Sequence, residues 1–322
     1  MTQPHLRRFG TAFIVFGAIA LLPLAIHDVY LRNVLVLTLL YAAISQSWNI
    51  LSGYCGQISL GHALYFGVGA YATSVLFVHY GIVPWVGMVV GGVIAAFLAL
   101  IIGYPCFRLQ GHYFSIATLV IAQIGLLLAQ NWNFVGAATG IQWPFSPNSW
   151  WTLQFARNNV PYIEVALGLL IIVWLVTVLI EESRWGYWWR AVKDDPAAAE
   201  SLGVEVFRSK MAAAAVSAFF TAVGGGIYAA FLAYIDPDAV MSFRFSLLFA
   251  LPAVLGGIGT LWGPLVGAAI LIPLNEFTRT YLGGTGSGID LIIYGILVMV
   301  VAVARPEGIL SLFRRRARGD AA

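Results

Sequence analysis

The sequence predicts an all-α fold: a polytopic membrane helical bundle of about ten transmembrane helices, with one short helix in a cytoplasmic loop. Three observations carry this expectation. The composition is 60% hydrophobic and only 10% charged, with a mean hydropathy of +0.86, outside the range of water-soluble domains. Windows of roughly 20 mostly apolar residues, the length that crosses a hydrocarbon core, recur along almost all of the 322 residues. The breaks between them are short and polar.

In order, the windows fall at 9–26, 33–52, 57–78, 84–103, 112–130, 162–180, 210–234, 245–258, 263–281 and 289–304. The first follows Arg7 and Arg8 like a secretory leader, but no small-residue cleavage motif comes after it, so it reads as a retained helix. Pro252 and the glycines at 256, 257 and 259 interrupt the eighth, the weakest of the ten. Alternation of the spans places thirteen of the 17 Lys and Arg residues on one side; Arg32, Arg157, Arg244 and Arg279 fall on the other. By the excess of basic residues in cytoplasmic loops, both termini are expected on the cytoplasmic side of a cell inner membrane. The basic tail 313–318 fits a topology determinant near anionic lipid.

Small residues are plentiful, with 34 glycines. Ala214, Ala218, Ala222, Gly226 and Ala230 recur every four residues along the seventh window, and Gly87/Gly91 and Gly263/Gly267 make two G-x-x-x-G pairs. Such stripes allow helices to approach closely in lipid, within this chain or at a subunit seam. Cys55 and Cys106 read as packing residues. No internal repeat is evident.

Enzyme chemistry finds no support in the pattern. There is no H-E-x-x-H, and the five histidines lack ligand spacing. Lys193 and Lys210 are the only lysines, and neither follows a phosphate-cradling glycine loop. We therefore expect no catalytic residue, metal or cofactor. No basic soluble face suggests nucleic acid as a partner. Polar residues inside spans are costly and mark functional candidates: Gln46 and Asn49 on one face of the second span, Gln57 and His62 at the glycine-rich start of the third, and Gln123 in the fifth, with Asn275 and Glu276 further on. Structural hydrogen bonding to a broken helix is the alternative for His62. The buried carboxylates that proton-coupled carriers need are missing, since Glu164, Glu276 and Asp290 lie near span ends, which weakens a secondary carrier.

Two loops exceed the rest. The outer one, 131–161, carries Trp132, Trp143, Trp150 and Trp151, suited to a headgroup belt or to a docked external protein. The inner one, 182–209, holds D-D-P-A-A-A-E-S-L-G at 194–203. It reads as a short helix with Asp195 as N-cap, Pro196 at the first helical position and Gly203 as the stop. Ala198, Ala199 and Leu202 are expected to share a small apolar face flanked by charge at Glu200, a knob for a partner's groove.

Six strings, in order along the chain, resemble one known family: GYCGQISLGHALYFGVGAYA at 53–72, GHYFSIATLVIAQI at 111–124, RAVKDDPAAAESLGV at 190–204, SAFFTAVGGGIY at 217–228, VLGGIGTLWGPLVG at 254–267 and RPEGIL at 305–310. They resemble the LivM-type permeases of branched-chain amino acid ABC importers. The resemblance implies that 1–322 is one transmembrane permease domain. It also implies a related LivH-like second permease, two cytoplasmic ATPase subunits and an extracytoplasmic solute-binding protein. The loop around Asp195, Pro196, Ala198, Ala199, Glu200, Leu202 and Gly203 would then couple the chain to the ATPase. Relatives of that family carry urea, short amides or aromatic acids as well, and the tryptophan-rich stretch after Thr139-Gly140-Ile141 departs from the family pattern.

Overall fold

The computed structural model describes residues 3–109, 111–146, 148–155 and 159–282, with isolated positions at 295–296, 299 and 308–310. The rest of the tenth expected span, the basic tail, Arg157, Asp290 and residues 305–307 lie outside the described residues. The helices are α1 (Gln3–Ala25), α2 (Val29–Asn49), α3 (His62–Tyr80), α4 (Pro84–Cys106), α5 (His112–Asn131), α6 (Val160–Glu182), α7 (Arg184–Asp194), α8 (Pro196–Ser201), α9 (Val206–Leu232), α10 (Pro237–Met241), α11 (Phe243–Gly256) and α12 (Gly263–Leu282). Two antiparallel pairs, Ile141 with Ile235 and Gln142 with Tyr234, make the small ribbon of β1 (Ile141–Gln142) and β2 (Tyr234–Ile235). Among the described residues, eight helical spans are long and apolar enough to cross a membrane, one of them formed by α10 and α11 together. α12 is helical where a span was expected, but Asn275, Glu276 and Arg279 lower its apolar character.

Local sequence explains the element ends. Asp28 accepts from Tyr30 N at 2.8 Å to cap α2, and Asp236 accepts from Ala239 N at 2.8 Å with Pro237 opening α10. The third span begins at His62 rather than 57. Residues 55–61 are non-helical, because α2 runs on through a single π-helical turn, Ile50–Tyr54, and then breaks. Single π-turns of this kind are rare and, where they occur, frequent at functional sites.

α2 lies at the centre, packed by α6, α9, α11 and α12, and 89% of its span is buried against 17% for α1. A second group joins α3, α4 and α9. Small residues make it possible: Ala214, Ala218, Ala222, Gly226 and Ala230 are all buried within this chain. A Cβ at Gly69 would lie 1.9 Å from Ala222 O, and one at Gly225 would lie 1.9 Å from Phe66 O, so the backbones of α3 and α9 nearly touch. Large apolar side chains point outward instead, among them Phe97 on α4, Leu128 on α5 and Phe13 on α1, as lipid-facing positions do.

Polar contacts sort into two ends, in step with the alternating helix directions. At one end Arg8 pairs with Glu181 at 3.4 Å, and Tyr54 Oη donates to Glu181 Oε1 at 2.9 Å. At the other, Trp85 Nε1 donates to Trp150 O at 2.8 Å and Thr280 Oγ1 to Tyr30 Oη at 3.0 Å. Trp143 does not belong to an exposed belt. It is 1% exposed, its ring lies tilted against Phe77 at 4.7 Å between centroids, and its Nε1 donates to Ser74 Oγ at 2.8 Å. Trp132, Trp150 and Trp151 are exposed.

Candidate functional site

α7 leaves α6 after a single residue, Ser183. Arg190 fixes this corner, donating from Nη2 to Glu181 O at 2.9 Å and from Nε to Gly186 O at 3.1 Å, while Trp189 and Val192 bury the inner face. α8 then forms as its sequence dictates. Asp195 Oδ1 accepts from Ala197 N at 2.9 Å and Ala198 N at 3.1 Å, Pro196 occupies the first turn, and Gly203 at φ +86° ends the run.

The apolar face expected of α8 is divided. Ala199 is 2% exposed and turned into the chain, where its carbonyl accepts from Val204 N at 3.0 Å. Leu202 is 83% exposed, and Ala198, one turn before it, is exposed with Glu200. Six residues make less than two turns, so two adjacent alanines point to opposite environments. The surface offered by α8 is therefore Ala198 and Leu202 without Ala199.

The polar residues of the second and third spans meet at the break between α2 and α3. Asn49 Oδ1 accepts from Gly259 N at 2.8 Å, and its Nδ2 donates to Thr260 O at 3.0 Å, clamping the segment between α11 and α12. Trp48 Nε1 donates to Ser59 O at 2.7 Å. His62 contacts Ser59 Oγ through Nδ1 at 3.1 Å and Ser217 Oγ through Nε2 at 2.8 Å. Ser217 Oγ donates to Ser47 O at 2.7 Å, so its proton is committed. His62 must then donate from Nε2 and accept at Nδ1, a tautomer assigned from the network. A histidine and a serine this close invite comparison with a nucleophile pair, yet both residues are 0% exposed and the second ring nitrogen is met by the Ser59 hydroxyl rather than by a carboxylate. The arrangement satisfies buried polar groups across α2, α3 and α9.

Two other candidates lie apart. Gln46 is buried about one turn before Asn49 and turns to α6 instead, donating to Thr177 Oγ1 at 3.1 Å. Gln123 is half-buried on α5, beside the buried stripe of Phe114, Thr118, Ala122 and Leu126. Gln57 sits in the non-helical segment, where its backbone N donates to Leu51 O at 3.2 Å and its carbonyl accepts from Ser52 Oγ at 3.0 Å. Sequence reasoning missed Ser47, Ser59, Ser217 and Thr260, whose small hydroxyl or backbone groups carry no signal among so many apolar residues. Among the described residues no three His, Cys, Asp or Glu side chains gather as a metal site.

Comparison with known proteins gives this geometry a family. A family model described as the permease component of branched-chain amino acid transport systems matches residues 30–302. The chain is similar to the LivM high-affinity branched-chain amino acid transport permease of Escherichia coli K12, 25% identical over 88% of this chain and 70% of that protein. It is also similar to LivH of the same organism, 25% identical over 84% of this chain and 91% of that one. The fructose import permease FrcC of Rhizobium meliloti is 27% identical over 70% of this chain and 63% of that protein. No solved structure matches.

Proposed function

We propose that this chain, which belongs to the family of branched-chain amino acid transport permease components, forms half of the membrane pathway of an ATP-driven importer for branched-chain amino acids. A LivH-like permease supplies the other half, two ATPase subunits bind the cytoplasmic end, and a solute-binding protein delivers the amino acid from outside. One observation carries the assignment of the ATPase contact. α8 is a capped, exposed helix that places Leu202 and Ala198 at the same end of the bundle as the break between α2 and α3.

The pathway lies beside the second, third and fifth spans, with Gln57 and Gln123 offering half-buried amides to a passing solute. Gln46, Asn49 and His62 border it from within the packed bundle and hold its wall in shape. A sugar is the second reading, because one relative is a fructose import permease. Ligand binding by the cognate solute-binding protein decides between them: leucine binding supports the first reading, and fructose binding with no amino acid bound replaces it.

The end bearing α8 is cytoplasmic in this reading, and the chain sits in the inner membrane. Cys55 and Cys106 are buried, so single introduced cysteines can be labelled cleanly. Phe145→Cys, at a 98% exposed site, should react with an impermeant maleimide in intact cells. Ser201→Cys, also exposed, should react only after permeabilisation. Reaction of both from the same side would overturn the orientation.

A further inference from the structure

Lys193 is the penultimate residue of α7, three residues before α8 begins, and it touches both non-helical breaks of the bundle at once. Gly56, in the break after the π-turn, has φ +75°. A Cβ there would stand 3.1 Å from Lys193 Cα, 3.2 Å from Cβ and 3.0 Å from Cγ, so the lysine stem lies flat on the glycine backbone. Gly259, in the break between α11 and α12, has φ +73°, and a Cβ there would stand 2.9 Å from Lys193 Nζ. The π-turn leading into the first break packs directly on the second, since a Cβ at Gly53 would lie 2.6 Å from Gly259 N. Asn49 locks them together through Gly259 and Thr260.

Electrostatics favour a cation at this point. The π-turn ends at Tyr54 and α11 ends at Gly256, so Lys193 lies just beyond two helix C-termini, whose partial negative charge attracts an ammonium. The stem gives packing and the head gives charge, each to a different break. α7 itself is held to the bundle by Trp189 and Val192, so a displacement of α8 has a short, stiff route inward.

We propose that Lys193 is the positioning residue through which movement of α8 reaches both helix breaks, coupling ATP-driven closure to the pathway. The inference rests on the importer reading above and assigns the transmission within it to one side chain. Breaks in spans are where backbone can rearrange without losing a whole helix. A residue bracing two of them sets both together.

The test uses the complete transporter in proteoliposomes, with leucine uptake and ATP hydrolysis measured on the same samples. Lys193→Met keeps the stem over Gly56 and removes the charge; Lys193→Ala removes both. Coupling free energies between sites in proteins correspond to about 5-fold or larger changes, so the ATP consumed per leucine imported should rise about 5-fold for Lys193→Met and further for Lys193→Ala. Subunit assembly and basal hydrolysis should stay at the wild-type level, and Lys193→Arg should restore most of the coupling. An unchanged ratio in Lys193→Met and Lys193→Ala would overturn the inference alone. So would a parallel loss of assembly, hydrolysis and uptake in Lys193→Met, which marks a merely structural residue. A wild-type complex with no ATP-driven uptake would overturn the importer reading and this inference with it.

Discussion

Gly225→Leu is expected to abolish recovery of folded protein from membranes. A single Cβ at this position would already lie 1.9 Å from Phe66 O and 2.8 Å from its carbonyl carbon, and both are backbone atoms of α3 that cannot rotate away. The isobutyl group would have to separate α3 from α9, and Gly69 shows that the contact is reciprocal, since its own Cβ would strike Ala222 O. Overpacking usually costs about 1–3 kcal/mol, and a backbone-to-backbone contact sits at the top of that range or above it. Helices in lipid gain little from hydrophobic burial against one another, so the lost van der Waals contact has no other term to replace it. Gly168 provides the control. A Cβ there meets nothing within 4 Å, and Gly168→Ala should leave yield unchanged and raise the thermal midpoint slightly, because alanine is the better helix former. Size-exclusion profiles in detergent measure both variants; a monodisperse Gly225→Leu peak at wild-type yield would contradict this packing.

Leu202→Glu is expected to eliminate co-purification of the ATPase and reduce uptake to background, while yield and topology stay as in the wild type. Leu202 is 83% exposed, so a carboxylate there costs this chain almost nothing when alone. Buried at a docked interface, it would carry an uncompensated charge worth several kcal/mol. Ala199→Glu should behave differently. With Ala199 2% exposed, its carboxylate would be forced into the chain and would unseat α8, lowering stability as well as association. The pair separates surface from interior: association lost with stability kept at 202, both lost at 199. Glu200→Gln, on an exposed position, should be mild. Normal ATPase recovery with Leu202→Glu would remove the docking role from α8 and leave family membership untouched.

Much of this architecture was legible in the sequence, and the misses have physical causes. Spans announce themselves because hydrocarbon demands about 20 apolar residues wherever the chain crosses, and nine of the expected windows are helices. The break at 55–61 was hidden because its Cys55, Ile58 and Leu60 keep the window apolar. The local partners at the break are two serine hydroxyls: Ser52 Oγ donates to Gln57 O and accepts from Ser59 N, and Ser59 Oγ accepts from Gly61 N. The caps of α8 could be read residue by residue, since Asp-Pro and Gly act within one turn. Its facing could not, because Ala198 and Ala199 are chemically identical and only packing against α7 and α9 decides which is inside. Trp143 was misplaced for a similar reason: the pairing of β1 with β2 folds the loop back over it, and two-residue strands leave no periodicity to detect.

The central claim is that this chain moves solute only as part of an ATP-driven assembly, and leucine uptake into proteoliposomes of defined content tests it most directly. Vesicles holding this chain, the LivH-like permease and the ATPase subunits, supplied with ATP on the ATPase side and liganded binding protein on the other, should accumulate labelled leucine. Vesicles with this chain alone should show no uptake under a proton or sodium gradient. Gradient-driven accumulation by the chain alone, or ATP-independent uptake by the full set, would contradict the account and make it a secondary carrier.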